Sequence, residues 1–244
     1  MSAEDFDIIT EKLRGVTKYL YYHLMGEPTT HPLLPFFIKT AAKKGYKSVI
    51  TTNGTLLDRV GDELIAAGVY KVNISVHSFE NENFSEYLGI CLDFADKASQ
   101  AGVLVVLRLW NNGHDEGRNE KILRVLKERF ADGDWVAESR GARIRNRLHL
   151  EYGDRFAWPD MKAEDGGERV FCYGLGDHFS VLCDGTVVPC CLDRNGEIAL
   201  GNIFDEDIEN ILATERAQNI HNGFGRRVAV EELCRKCGYA RRFK

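Results

Sequence analysis

The sequence predicts an α/β protein with parallel βα units up to about residue 150, followed by a small cysteine-rich domain. Two observations lead to this fold class. Short apolar runs alternate with amphipathic stretches in the first part, as expected of alternating strands and helices. Six of the seven cysteines lie beyond residue 170, and an apolar content of 44% in 244 residues is enough for one large core and a small module.

In the first part, each predicted strand is followed by a predicted helix or by the linker. Strands and helices alternating at this spacing predict a parallel sheet. The run VLVVLRLW is apolar almost throughout, as expected of a strand covered on both faces. The predicted strands cover 18–25, 47–53, 70–78, 103–110 and 145–152, and the predicted helices 31–45, 55–68, 81–102 and 119–130. Because the chain opens on a helix, SAEDFDIITEKLRG, we expect that the first strand of the sheet is missing.

The composition changes after residue 150. A stretch with several glycines and no periodicity predicts a linker over 153–170. The predicted domains are therefore 1–152, for the βα units, and 171–244, for the cysteine-rich part. Within the latter, Asp184-Gly185 joins two β-rich runs, which predicts a hairpin. An amphipathic helix is predicted over 205–224.

Charge and cysteine usage exclude several classes of protein. The formal net charge of -5 and the pI near 5.8 give no basic excess for binding a nucleic-acid backbone. No apolar run approaches the ~18 residues of a membrane span, and the N-terminus is unlike a signal peptide. We therefore expect a cytoplasmic protein with no nucleic-acid or membrane partner. An odd number of cysteines in such a protein argues against a disulfide framework.

The clustered cysteines predict a metal site. Cys234 and Cys237 form a CxxC, which places two sulfurs on one tight turn, and Cys172 and Cys190 supply two more soft ligands. Four thiolates suit tetrahedral zinc or an iron–sulfur cluster, and the spacing alone leaves both open. Neighbouring residues of a strand face opposite ways, so Cys191 is an alternative to Cys190. Cys183 and Cys91 are interpreted as ordinary packing cysteines.

The segment beginning at Cys172 resembles the SPASM or twitch module that follows many radical S-adenosylmethionine (SAM) domains. The runs CYGLGDHFSVLCDGTVVPCCLD, LGNIFDEDIENILATERA and ELCRKC carry the resemblance. Its hallmarks are a first cysteine, a turn glycine (Gly185) followed after four residues by a cysteine (Cys190), and a downstream CxxC. The resemblance implies an auxiliary [4Fe-4S] cluster held by Cys172, Cys190, Cys234 and Cys237.

Upstream, the chain resembles the partial (β/α)6, TIM-like barrel of the radical SAM superfamily. Three motifs at successive strand ends support the resemblance: GEP in HLMGEPTTHP, TNG in TTNGTLL, and SVHS. Each has an ordinary reading as a turn or as the polar face of a strand, and it is their order that favours the family. The resemblance implies SAM as a cofactor. The residues that it places at SAM are Gly26, Glu27, Pro28, Asn53, Ser75 and Arg108.

One part of the family pattern is absent. Radical SAM enzymes hold a catalytic [4Fe-4S] cluster in a CxxxCxxC loop after the first strand, and this cluster cleaves SAM to a 5′-deoxyadenosyl radical. No cysteine precedes Cys91 in this sequence. Three explanations stay open: a truncated chain, one piece of a split gene, or a degenerate homologue. The chain as printed is expected not to cleave SAM reductively.

The resemblance implies an oxidoreductase or a peptide-modifying maturase of the radical SAM/SPASM type. Its expected partners are a peptide or small-molecule substrate and an electron donor such as flavodoxin or ferredoxin. The alternative is a non-catalytic scaffold that binds a peptide and has a structural four-cysteine zinc or iron–sulfur site. The basic runs SRGARIRNR and ARRFK are interpreted as solvated charge.

Overall fold

The computed structural model describes residues 1–78 and 83–243. The first part alternates strands and helices, and the last part consists of short elements and loops. The strands are β1 Tyr19–Tyr21, β2 Lys47–Thr52, β3 Lys71–Ile74, β4 Leu104–Asn112, β5 Val136–Glu138, β6 Gly141–Arg145, β7 Leu148–Asp154, β8 Ser180–Val181, β9 Thr186–Val188 and β10 Gly201–Asn202. The helices are α1 Ala3–Lys12, α2 Leu34–Lys43, α3 Leu57–Ala66, α4 Phe84–Gln100, α5 Arg118–Arg129, α6 Ile208–Ala213, α7 Glu215–Gly225 and α8 Glu232–Arg235, with 3-10 turns at Pro28–Thr30 and Ala240–Phe243.

A seven-stranded sheet with the order β1-β2-β3-β4-β7-β6-β5 forms the centre of the first part. The pairs from β1 to β4 and the pair β4–β7 are parallel, and β7–β6 and β6–β5 are antiparallel. Helices α2, α3 and α4 connect the successive parallel strands. The predicted α/β fold with a mostly parallel sheet is therefore confirmed.

The two faces of the parallel strands differ in chemistry. Side chains alternate along a strand, so every second residue points to the same face. One face supplies the core with buried apolar residues that pack against the helices, such as Val72, Ile74 and Leu107. The opposite face bears Lys71, Asn73 and other polar side chains. The apolar face thus packs against the helices, and the polar face leaves side chains available to bind a ligand at the strand ends.

The βα boundaries follow local signals in the sequence. The Ser2 hydroxyl accepts a hydrogen bond from the Asp5 amide, and the Asp5 carboxylate accepts one from the Ser2 amide, which is a complete capping box at the start of α1. Gly45, just beyond α2, has φ of +89°, a conformation that glycine adopts without strain. The predicted helix at 81–102 corresponds to α4, although its residues 81 and 82 lie outside the described part of the chain.

Three predicted elements differ from the structure. The strand predicted over 18–25 is limited to β1, because the chain turns at Gly26 with φ of +94°. The helix predicted over 205–224 is two helices, α6 and α7. Thr214 interrupts it with ψ of 149°, and its hydroxyl accepts a hydrogen bond from the Ala217 amide as the cap of α7. The hairpin of β5 and β6 was missed because β5 is short and exposed, and β6 is partly buried with one fully buried residue, Ile144, so neither strand has a strong apolar pattern.

The predicted hairpin around Asp184-Gly185 is present. Strands β8 and β9 pair antiparallel, and β10 adds to the other edge of β9. Gly185 has φ of +86°, and its missing Cβ would lie 2.5 Å from the Asn202 side chain, so only glycine fits this turn. Cys190 and Cys191 follow β9 in a turn and do not lie on a strand.

The chain divides into two compact units. One comprises Met1–Val16, Leu24–Gly26 and Phe156–Lys244, and the other Thr17–His23 and Glu27–Arg155. Helix α1 thus groups with the C-terminal segment, where Lys12 donates to the Glu206 carbonyl at 3.0 Å. The domain bounds 1–152, 153–170 and 171–244 remain a prediction. None of the helices in the described residues is long and apolar enough to cross a membrane.

Candidate functional site

The GEP motif forms a tight turn directly after β1. Glu27 is the N-terminal cap of the 3-10 turn Pro28–Thr30, and Pro28 occupies its first position, where a missing amide hydrogen costs nothing. Glu27 is partly buried, in contrast to the exposed Gly26 before it. The turn therefore fixes the Glu27 side chain at the carboxyl end of the strands.

Both carboxylate oxygens of Glu27 are occupied by donors. Oε1 accepts hydrogen bonds from the Thr29 amide at 3.0 Å, the Thr29 hydroxyl at 2.6 Å and the Thr52 hydroxyl at 2.7 Å. Oε2 accepts from the Asn53 amide at 2.7 Å. The carboxylate thus joins the GEP turn to the end of β2. Bonds to a charged acceptor are among the stronger ones in proteins, so this junction is rigid before any ligand binds.

The TNG motif is a turn held from two sides. The Asn53 side chain accepts from the Thr55 amide at 3.0 Å, and the Tyr87 hydroxyl of α4 donates to the Asn53 carbonyl at 2.6 Å. Gly54 has φ of +82°, and a Cβ there would lie 2.5 Å from the buried sulfur of Cys91. Cys91 is therefore a packing residue beneath the turn, as predicted. The Tyr87 hydroxyl also approaches the Ser75 carbonyl at 3.4 Å, so one side chain supports both motifs.

Arg108 lies on the polar face of β4, opposite Glu151 of β7 in the strand register. Its Nε is 4.0 Å from the Glu151 carboxylate, and its guanidinium stacks 4.5 Å from the centre of the Trp110 ring. Arg108 is thereby paired with a charge and an aromatic face. The roles of Gly26, Glu27, Pro28, Asn53, Ser75 and Arg108 at SAM stay predictions.

Several basic side chains on the same face were missed by sequence reasoning. His23, His77 and Lys71 all lie close enough to Arg108 for its charge to act on them. Burial, and then the charge of Arg108, lowers the pKa of His23 to about 4. The same two causes lower the pKa of Lys71 and His77. Strand alternation was the signal that marked this face as polar, but it gave no sign that His23, after β1, and Lys71 and His77, on and after β3, lie near Arg108 of β4.

The cysteines of the C-terminal unit come together from separate loops. The pKa of Cys234 is raised by burial and then by the nearby sulfurs of Cys190, Cys172 and Cys237. Burial also raises the pKa of Cys190 to about 12, with Cys191 and Cys172 adding to the shift. Within the described residues, no three His, Cys, Asp or Glu side chains are grouped as ligands of one metal ion. The soft, mutually close sulfur donors nevertheless have the chemistry that an iron–sulfur cluster requires.

Cys190 and Cys191 both belong to this thiol group. The pKa of Cys191 is raised by burial and then by the nearby sulfurs of Cys172 and Cys237. The expectation that only one of the pair faces the metal stays a prediction. Its reason does not hold, because the two residues lie in a turn, where strand alternation does not apply. Cys183 is exposed, so its interpretation as a packing cysteine was wrong. It is not among the sulfurs that act on Cys190 or Cys234. Cys190 as ligand, with Cys191 as its alternative, stays a prediction.

Asp193 organises the loop after the cysteine pair and was not predicted. It is 1% exposed, and its two carboxylate oxygens accept hydrogen bonds from the amides of Glu197 at 2.9 Å and Ile198 at 2.8 Å. The Asp193 amide donates to the Cys190 carbonyl at 3.3 Å. A buried aspartate that satisfies backbone amides fixes the path of the loop that presents Cys190.

Curated relatives of the chain include GTP 3',8-cyclases. The protein of Microcystis aeruginosa is 25% identical over 238 residues, which covers 80% of this chain and 72% of the relative. A probable GTP 3',8-cyclase of Pyrobaculum aerophilum is 29% identical over 162 residues, covering 61% and 52%. A third, from Aeropyrum pernix, is 26% identical over 228 residues, covering 78% and 62%. The chain thus spans about half to two thirds of the length of the last two.

Solved structures show the same fold. BtrN in complex with AdoMet and 2-DOIA superposes with a TM-score of 0.58 at 17% identity, covering 97% of this chain and 80% of that one. Native anSMEcpe with bound AdoMet superposes with a TM-score of 0.57 at 16% identity, covering 98% and 78%. At these identities the likeness concerns the fold alone.

Two family models match the chain in succession. Residues 172–238 match the SPASM model, an iron–sulfur cluster-binding domain, and this confirms the class of cofactor expected from the cysteines. Residues 1–136 match the model of the radical SAM superfamily, which confirms SAM as the other expected cofactor. The chain therefore belongs to the radical SAM superfamily and carries a SPASM domain.

Proposed function

We propose that this chain forms the SAM-binding barrel and the auxiliary-cluster domain of a radical SAM/SPASM enzyme that acts on a small-molecule substrate. The observation that supports it most is the succession, in one chain, of the radical SAM match over residues 1–136 and the group of five thiols within the SPASM match. A barrel that binds SAM, followed in the chain by a domain that binds a cluster, is the domain order of an enzyme that moves single electrons.

On the barrel side, the proposed SAM contacts lie at the ends of β1 to β4. Oε2 of Glu27 accepts one hydrogen bond, from Asn53, and a carboxylate oxygen has room for a second donor. An ammonium group of SAM fits that position. Gly26 and Pro28 shape the turn, Asn53 and Ser75 offer polar groups at the neighbouring strand ends, and Arg108 offers a guanidinium for a carboxylate.

In the C-terminal unit, Cys172, Cys190, Cys234 and Cys237 would hold the auxiliary [4Fe-4S] cluster, with Cys191 as the alternative to Cys190. The cluster supplies electron transfer when it is bound. The protein contributes the desolvated thiols, which must lose their protons on loading, and the loop that Asp193 holds in place. Burial favours the neutral thiols, so loading is expected to release protons.

The catalytic cluster is a different case. The sequence contains no CxxxCxxC run, and Cys91, which lies in the barrel, is buried in α4 against Gly54. The cysteines described here therefore do not fit that cluster, and no step of SAM cleavage is assigned to them. The proposal concerns the binding of SAM, of the auxiliary cluster and of the substrate.

The class of substrate differs from the first expectation. We propose a small-molecule substrate and not the peptide of a maturase, because the curated relatives are named GTP 3',8-cyclases, and GTP is a small molecule. An oxidoreductase activity, a cytoplasmic location and an electron donor such as flavodoxin or ferredoxin remain proposals.

Anaerobic reconstitution with iron and sulfide tests the proposal. The purified chain is expected to turn brown, to absorb near ~400 nm and to contain about four irons per chain. SAM is expected to bind, with heat measurable by calorimetry. A colourless protein with stoichiometric zinc would overturn the cluster and favour the non-catalytic scaffold. A brown protein without affinity for SAM would overturn the barrel part of the proposal.

A further inference from the structure

The polar face of the barrel contains a row of side chains one layer below the strand ends. Thr51 of β2 pairs with Asn73 of β3, Asn73 with Val106 of β4, and Val106 with His149 of β7. These residues lie two positions before the strand-end residues Asn53, Ser75, Arg108 and Glu151. The row is therefore about 7 Å deeper than the proposed SAM contacts, at the usual rise along a strand.

Asn73 has an unsatisfied buried acceptor in this row. The residue is 1% exposed. Its Nδ2 donates to the Thr51 hydroxyl at 3.2 Å and approaches the Ile50 carbonyl at 3.4 Å, which sets the orientation of the amide. Within the part of the chain that the structure describes, Oδ1 has no donor. A buried acceptor without a partner costs about 1–3 kcal/mol, so the site favours a ligand that brings an N–H or O–H group.

His23 extends the same row beyond β1. Its ring lies 5.8 Å from that of Tyr21, two residues earlier, which places both on one face. Its Nδ1 is buried and, among the described residues, also has no hydrogen-bond partner. In the parallel register of β1 and β2, Tyr21 lies opposite Val49, two residues before Thr51. His23, two residues after Tyr21, therefore follows β1 at the level of Thr51, next to the row.

Lys71 supplies a cationic group to this row. Lys71 lies one layer below Asn73 on β3, and both Arg108 and Glu151 act electrostatically on its ammonium. Glu151 is already paired with Arg108 at 4.0 Å. Within the described residues, Lys71 has no carboxylate within ion-pair distance, and burial is the main cause that lowers its pKa, so its ammonium is partly desolvated and unpaired. Such a group attracts an anion.

We propose that His23, Lys71 and Asn73 form a substrate pocket for a small metabolite that carries an oxyanion, either carboxylate or phosphate, and an adjacent hydroxyl or amino group. Lys71 neutralises the oxyanion, Asn73 Oδ1 accepts the hydrogen bond from the neighbouring O–H or N–H, and His23 Nδ1 accepts or donates at the far side. The assignment rests on the proposed function, since it places the substrate beneath SAM. To the proposed function it adds a class of substrate, and it assigns that substrate to residues other than the proposed SAM contacts.

Calorimetry with the full reconstituted chain tests the pocket with matched probes. Malate and succinate differ by one hydroxyl, so malate is expected to bind about fivefold more tightly. Glycerol 3-phosphate against malate decides between phosphate and carboxylate. Lys71→Met is expected to weaken every anion at least ~tenfold, and Asn73→Leu to abolish the preference for malate over succinate. Lys121→Met, at an exposed position of α5, is the control and should change neither the anion affinity nor the preference for malate.

Several outcomes would overturn the pocket. One is the absence of anion binding in a chain that binds iron and SAM normally, and this leaves the proposed function intact. A second is a loss of anion affinity in Lys121→Met as large as that in Lys71→Met. A third is competition between SAM and malate together with an equal loss of SAM affinity in Lys71→Met, which would assign these residues to SAM. If Asn73→Leu fails to fold, the anion affinity of Lys71→Met, at a less buried position, still tests the pocket. Loss of SAM binding with anion binding retained speaks against the proposed function alone.

Discussion

At the carboxyl end of β2 the Glu27 carboxylate accepts hydrogen bonds from Thr29, Thr52 and Asn53. In the C-terminal unit the Cys172 sulfur accepts a longer one, at 3.4 Å, from the Gly174 amide, and the neighbouring sulfurs raise the pKa of Cys234. The barrel groups are set by strand register, turn geometry and charge-assisted hydrogen bonds. The cysteines are presented by loops around short strands, and burial raises their pKa values. The barrel site is thus organised by the protein itself, and the cysteine site is completed by the group that it binds.

The largest expected effect concerns the cysteine site. Replacing Cys234 and Cys237 together by serine is expected to reduce the bound iron to under about a tenth of the wild-type content, because two of the four soft ligands are lost. Iron and sulfide analysis with the visible spectrum measures it. Cys183→Ser, at an exposed cysteine outside the group, is the control. An equal loss of iron in Cys183→Ser would show that the thiol group is not the cluster site.

Gly54→Ala tests how rigidly the barrel turn is built. The new Cβ would lie 2.5 Å from the Cys91 sulfur at φ of +82°, so we expect a loss of about 3 kcal/mol in the free energy of unfolding. Gly45→Ala has a similar φ of +89° with nothing within 4 Å, and should cost about 1 kcal/mol. Urea unfolding measures both.

Cys91→Ala sharpens this test. In that background Gly54→Ala is expected to cost about 1 kcal/mol less, because the sulfur that the new methyl group meets is gone. Equal losses of unfolding free energy in Gly54→Ala and Gly45→Ala would contradict the close contact between Cys91 of α4 and Gly54.

Glu27→Gln is expected to have a smaller effect on stability, about 2 kcal/mol, since an amide nitrogen replaces one acceptor among several donors. SAM affinity is expected to fall about tenfold as the negative charge is lost. Urea unfolding and calorimetry measure the two effects. Glu128→Gln, exposed on α5, is the matched control. Unchanged stability in Glu27→Gln would mean that the carboxylate does not hold the end of β2.

The smallest effect is a pH dependence. The folded pKa of His23 is lowered from 6.5 to about 4 by burial and by Arg108. The unfolded chain therefore takes up a proton between these values that the folded chain does not, and stability is lost as the pH falls from 6.5 toward 4. His23→Gln should reduce the difference in unfolding free energy between pH 7 and pH 5 by about 1–2 kcal/mol. His114→Gln, at an exposed histidine, should not, and an identical slope in His23→Gln would contradict the buried neutral ring.

Much of the fold was predictable because its signals are local. The apolar periods, Gly45 after α2 and the Asp184-Gly185 turn each act within a few residues, and the βα order followed from them. The break at Thr214 was not predicted, since the amphipathic period continues across it. The β5–β6 hairpin was not predicted because β5 is exposed and β6 buries one residue, so neither strand has a strong apolar pattern.

By itself, the sequence determined the βα succession, the cysteine-rich segment with its CxxC, and the motifs GEP, TNG and SVHS. Only the tertiary structure decided that Glu27 binds the end of β2, that Cys190 and Cys191 lie in a turn, and that Arg108 pairs with Glu151 of β7. The physical reason is that residues far apart in the sequence meet through strand register and loop paths. These depend on the packing of the whole sheet and carry no local signature in the chain.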